Sequence, residues 1–76
     1  MVAKPNIHTV PDPKGGWRNV REGSDRAINK APTKVEAQAA GREVAKRDKV
    51  EHLIHKQDGT IGARNSYGND RADRPG

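Results

Sequence analysis

Apolar positions along the chain fall in short runs separated by turn-forming residues. Ile7-His8-Thr9-Val10 is a β-prone run that stops at Pro11-Asp12-Pro13-Lys14-Gly15-Gly16, where two prolines and two glycines supply turn geometry. Trp17 to Glu22 reads as a second strand. The two runs predict an antiparallel hairpin, with the prolines outside the ladder because they lack a backbone donor. Gly23-Ser24-Asp25 is the next turn, and Arg26-Ala27-Ile28-Asn29-Lys30 a weaker third strand.

The period then changes. Thr33 and Glu36 form a Thr-x-x-Glu capping box, in which the Thr33 hydroxyl accepts from the Glu36 amide while the Glu36 carboxylate reaches back. The helix it opens is predicted from Lys34 to Arg47, ending near Asp48. At 100° per residue Ala37, Ala40, Gly41 and Val44 share one face, and Gln38, Arg42 and Lys46 lie roughly opposite. Mid-helix glycine costs about 1 kcal/mol against alanine, so Gly41 implies close packing on a sheet. Val50 to His55 returns to strand composition. Gln57-Asp58-Gly59-Thr60 is a hairpin turn with glycine where positive φ is required, and Ile61-Gly62-Ala63-Arg64 closes the hairpin.

These elements predict an α+β fold: a small antiparallel sheet of three to five strands with one helix packed on one face, in the order β-β-(β)-α-β-β. One domain over residues 6–68 is expected, flanked by a flexible N-terminus over 1–5 and a flexible tail over 69–76. The sheet's second face is left partly open, and small sheets with a bare surface are common binding platforms.

Composition narrows the classes. The chain has 76 residues, 30% of them apolar, one Trp and one Tyr, so its core is thin and supplies only a few kcal/mol. Dimerisation is one way to make up the missing burial. The absence of cysteine excludes a disulfide framework and every thiolate zinc site. No apolar stretch approaches a signal peptide or a membrane span, and a cytoplasmic protein of bacterial type without a membrane partner is expected. Fifteen Lys and Arg against ten Asp and Glu give a net charge of +5, which favours acidic partners but also serves plain solubility.

As a set, several motifs carry a resemblance: Gly15-Gly16-Trp17, Arg21-Glu22-Gly23, Arg26-Ala27, Thr33-Lys34-x-Glu36-Ala37, Gly41-Arg42-Glu43, Ile54-His55, Asp58-Gly59-x-Ile61, and Arg64-Asn65-Ser66-Tyr67-Gly68-Asn69-Asp70. Over about residues 6–70 the chain resembles the small bacterial domain-of-unknown-function family 2188. The resemblance implies a short α+β domain often found as a whole protein, and brings no activity, catalytic residue or cofactor. The sequence departs from the family's usual tail, in which prolines and an aromatic follow Asn-Asp; here Arg71-Ala72-Asp73-Arg74 intervenes.

Candidate chemistry is sparse. His52-x-x-His55 invites a metal, but residues three apart on a strand face opposite sides, and without cysteine a site would need His8 and a distant carboxylate. No metal and no cofactor is expected. For covalent catalysis the chain offers Ser24, Ser66 and three threonines, and no motif sets one beside a histidine. Asp58 and Glu51 are the carboxylates expected near histidines across the second hairpin, as ordinary surface pairs. No catalytic residue is assigned, and the expectation is a non-enzymatic domain.

Gln38, Arg42, Lys46 and Lys49 form a stripe on the outer helix face, where Arg42 and Lys46, four apart, repel unless a polyanion lies along them. Glu43 and Arg47 are placed to pair beside it, as on a merely solvated face. Arg18, Arg21, Arg26, Lys30 and Arg64 form a second basic group on the sheet side, although strand parity sets Arg18 opposite Arg21. Trp17 is read first as a core anchor; exposed, Trp17 and Tyr67 would be stacking or interface residues. The expectation is DNA or RNA bound through Arg42, Lys46, Lys49, Arg18, Arg21 and Arg64. The alternative is a protein-interaction module or small homodimer, joined by a sheet edge or the Trp17 hairpin, whose charges serve solubility.

Overall fold

The computed structural model describes residues 4–24 and 26–67. The elements are β1 (Ile7–Pro11), β2 (Trp17–Arg21), β3 (Ala27–Ala31), α1 (Lys34–Asp48), β4 (Glu51–His55) and β5 (Ile61–Ser66). They form one five-stranded sheet in the order β3-β2-β1-β4-β5, and α1 lies over β1 to β4, leaving β5 uncovered. The third strand is real. The expected flexible tail lies outside the described residues, as does most of the expected flexible N-terminus.

The sheet is mixed, not wholly antiparallel as expected. β1–β2, β2–β3 and β4–β5 are antiparallel, but β4 pairs parallel to β1, with Ile7 opposite His52 and Thr9 opposite Ile54. The helix is the cause. Two hairpin reversals leave β3 running with β1; α1 carries the chain back across the face, and β4 then runs the same way as β1 and fills its free edge.

Pro11 lies inside β1, opposite Trp17, against the expectation that prolines stay out of the ladder. The neighbouring pair, Asp12 and Gly16, exchanges the ladder bond from Asp12 N to Gly16 O at 2.9 Å. Paired residues alternate between bonded and non-bonded positions, so the Pro11 nitrogen points away from β2. On its other side the β4 register ends at Thr9, and no donor is needed there. Gly16 has φ +77°, and a Cβ on it would lie 2.7 Å from the Ala31 carbonyl oxygen.

Thr33 caps α1 by accepting from the Glu36 amide at 3.2 Å. The return bond expected from Glu36 is not among the described hydrogen bonds, so half of the capping box is made. At the other end Lys49 adopts the left-handed conformation, φ 59° and ψ 51°, and the Lys49 and Val50 amides close onto Lys46 O and Ala45 O. Inward residues alternate along β1 and β2 as the pleat requires: Ile7 and Thr9, then Trp17 and Asn19, are buried. A register shift in the β2–β3 ladder leaves Ile28 without an opposite partner. Ile28 and Tyr67 pack against the cluster of Ile7, Val44, Ala45 and Val50.

Candidate functional site

Beneath the middle of α1 the sheet is polar. Thr9, Asn19 and His52 are fully buried and meet at Gly41, where an added Cβ would contact Asn19 Oδ1 and lie 2.8 Å from His52 Nε2 and 2.9 Å from Thr9 Oγ1. The proton order follows from the partners. Asn19 Nδ2 donates to Ala37 O at 2.8 Å and to Asn29 Oδ1 at 2.7 Å. Its Oδ1 therefore accepts from the Thr9 hydroxyl at 2.5 Å. With its one proton spent, Thr9 Oγ1 accepts from His52 Nε2–H at 2.7 Å. His52 Nδ1 is then an unprotonated nitrogen, buried without a partner. Protonating it would create a buried donor with nothing to bond, and burial, the Arg42 charge and His8 together lower the His52 pKa below its ordinary 6.5.

Thr9 and His52 have the spacing of a nucleophile and its base, but both are sealed under the helix. No substrate carbonyl can reach Thr9 Oγ1 while Gly41 sits on it. The network's chemistry is structural: it links four polar side chains and one helix carbonyl beneath Gly41, and leaves His52 Nδ1 without a partner among the described residues.

The opposite, open face carries His8 and His55. Strand alternation does put His52 and His55 on opposite sides, as expected. The carboxylate near a histidine is neither Asp58 nor Glu51, both of which the sequence suggested. Asp58 Oδ1 accepts from Thr60 N and Oγ1 at 3.0 and 2.8 Å, which lowers its pKa, and Glu51 pairs with Arg64 at 3.6 Å. Glu22 takes that place, 3.1 Å from His8 Nε2.

The basic residues divide among three surfaces. Arg42, Lys46 and Lys49 are exposed on the outer side of α1, and none makes an ion pair among the described residues. Arg18 and Arg64 lie on the open sheet face. Arg18 is opposite Val10 and Lys30, with its Nε buried and unpartnered. Arg21 is on the helix side, 3.7 Å from Asp48, a carboxylate also approached by Lys4 and Arg47. Arg47 thus pairs with Asp48 at 3.4 Å and not with Glu43. Lys30 pairs with Asp12 at 3.6 Å, and the Lys14 amide, then Lys30 and Arg18, lower the Asp12 pKa. The six arginines and lysines assigned to nucleic acid do not share one surface. Trp17 is 8% exposed, with Lys34 Nζ 5.3 Å from its ring; it is a core residue, and its faces are not free for stacking. Tyr67 is half-buried against the same core.

A family model described as an uncharacterized protein conserved in bacteria (DUF2188) matches residues 7–67, from the first residue of β1 to just past β5. The chain belongs to the DUF2188 family. The DUF2188 match thus takes in every strand and the helix, so the polar network under Gly41 and the His8–His55 pair both lie within the family domain. No curated protein matches the chain, and no solved structure does. Among the described residues no helix is long and apolar enough to cross a membrane.

Proposed function

We propose that this domain is a non-enzymatic binding module that engages the phosphate backbone of DNA or RNA through Arg42, Lys46 and Lys49. The observation that carries this is the distribution of unpaired charge. On the sheet, Arg21, Lys30 and Arg64 each approach a carboxylate, and Arg18 has its Nε buried, whereas the three cations on the outer helix face are exposed and approach no carboxylate among the described residues. At 1.5 Å per residue they span about 10 Å, or about three base-pair steps of a duplex. Lys49 adds a second support. It holds a left-handed backbone conformation that glycine adopts at less cost, so a charged side chain is kept there against local preference. Phosphate contacts alone carry no base specificity, and two aromatics, one buried and one half-buried, offer little stacking.

The test is fluorescence anisotropy of a labelled duplex and a labelled single strand across a salt series. Three phosphate contacts predict a slope of log K against log salt of about −2.7 for duplex and about −2.1 for single strand. R42Q/K46Q/K49Q removes the slope with the affinity, while R21Q and R64Q leave both nearly unchanged. Failure to bind at low salt, or a slope indifferent to the triple variant, overturns the proposal.

A second reading has an observation of its own. All six residues of β5 are exposed, and β5 is an outer strand of the sheet. A protein strand, or a second copy of the chain, can add there by main-chain hydrogen bonds. Salt-resistant self-association in sedimentation would favour it.

A further inference from the structure

Parallel pairing of β1 with β4 sets His8 beside His55, 47 residues away, with ring centroids 5.1 Å apart and planes at 52°. Each ring's outer nitrogen is committed. His8 Nε2 faces Glu22 Oε1 at 3.1 Å. Near neutral pH a glutamate is ionised, and the Glu22 carboxylate, which also faces Asn6 Nδ2 at 3.4 Å, can only accept. His55 Nδ1 faces the Gly59 carbonyl at 2.8 Å, which also only accepts. Both outer nitrogens therefore carry the proton. A neutral imidazole has one N–H, so the inner nitrogens, His8 Nδ1 and His55 Nε2, hold lone pairs, and these face each other at 2.9 Å. Two neutral rings supply two protons for three hydrogen bonds. The gap needs a cation.

We propose that His8 Nδ1 and His55 Nε2 form a binding site for one divalent first-row transition ion of the Zn2+ or Ni2+ type, with water in the remaining positions. Imidazole nitrogen suits these ions. The surroundings are those of ligating histidines, whose second ring nitrogen almost always donates to a carboxylate or a backbone carbonyl; Glu22 and Gly59 supply one of each. The His8 side chain is 18% exposed and His55 is half-buried, so the pair lies near the surface. With metal–nitrogen bonds of about 2.0–2.1 Å at tetrahedral angles, the nitrogens must stand about 3.3 Å apart, which asks the rings to part by a few tenths of an ångström. No group of three or more ligating side chains occurs among the described residues, so this is an open, exchangeable site and not a closed structural one. It lies across the sheet from His52, and it stands apart from the phosphate-binding proposal.

The competing occupant is a shared proton alone. Untagged full-length chain, titrated calorimetrically with Zn2+ and separately with Ni2+ at about pH 7.5, where free imidazole is neutral, distinguishes the two. The expected result is one saturable ion per chain, with imidazole 15N signals of His8 and His55 moving together. H8Q and H55Q each weaken binding at least about tenfold, and E22A, which removes only the orienting carboxylate, also weakens it about tenfold. H52Q leaves the affinity unchanged, and far-UV circular dichroism verifies that each variant is folded. No saturable binding below about 1 mM, the range of negligible affinity, or equal binding by wild type, H8Q and H55Q, overturns the site.

Discussion

Replacing Gly41 with alanine sets two effects of opposite sign against each other. Helix propensity alone favours Gly41→Ala by about 1 kcal/mol. The new methyl, however, would sit on three buried polar atoms, with His52 Nε2 at 2.8 Å and Thr9 Oγ1 at 2.9 Å, closer than real Cβ atoms approach anything. None of these is the free end of a flexible side chain. Thr9 is held at both its partners, and Asn19 is bonded on either side. Either the helix lifts, with an overpacking cost of about 1–3 kcal/mol, or one hydrogen bond breaks and strands a buried group at about 1–3 kcal/mol. Net of propensity, the loss is about 0–2 kcal/mol, at its upper end a large part of the stability of so small a domain. Urea unfolding followed by the fluorescence of the single Trp17 measures it directly. G41A in an N19A background completes a cycle, and the coupling should exceed about 0.5 kcal/mol because the nearest of the three colliding atoms is gone. A G41A protein more stable than wild type by the full propensity gain, about 1 kcal/mol, would refute the close approach and the network built on it.

Lys49→Gly should stabilise the fold by about 0.5–1 kcal/mol, the left-handed penalty less the unfolded-state entropy of glycine, while weakening nucleic-acid binding; thermal melts and anisotropy on one sample separate the effects. His52 has a folded-state pKa lowered from 6.5, so the unfolded chain binds the proton more readily and stability rises with pH. Its contribution is complete above about pH 6.5 and falls away as pH drops below that value, by at most about 1.4 kcal/mol per unit. Unfolding between about pH 7.5 and 5 should show a steeper slope in wild type than in H52Q, the carboxylates titrating below most of that window. Thr33→Ala should cost about 1 kcal/mol through the lost cap, and a melt unchanged within about 0.3 kcal/mol would argue against the cap.

Local signals in the sequence reached far into the fold. The runs around Ile7, Trp17 and Val50, the Thr33 cap and the Asp58-Gly59 turn marked their elements because strand period, capping and positive φ are short-range properties. Sheet order is not short-range: no local pattern distinguishes β4 beside β1 from β4 beside β3, and with the wrong neighbour His8 and His55 do not meet. Parity correctly separated Arg18 from Arg21 and His52 from His55, yet charge pairing misled, since the Asp48 carboxylate takes Arg47 away from Glu43. The buried network had a legible trace. Thr9, Asn19 and His52 occupy the inward positions of their strands between Ile7, Trp17 and Ile54, and a mid-helix glycine is what a polar sheet centre needs above it.

The parallel partner of β1 is synthesised roughly forty residues after β1 itself. At ordinary elongation rates of 5–20 residues per second, β4 is made about 2–8 s after β1. Until then the meander shows neighbours an unpaired margin along Ile7 to Thr9. Docking of β4 covers that margin and moves the open edge of the sheet outward to β5. A substitution that slows arrival or docking of β4 would therefore show itself as a lower soluble yield in cells, even where the purified protein melts at the wild-type temperature.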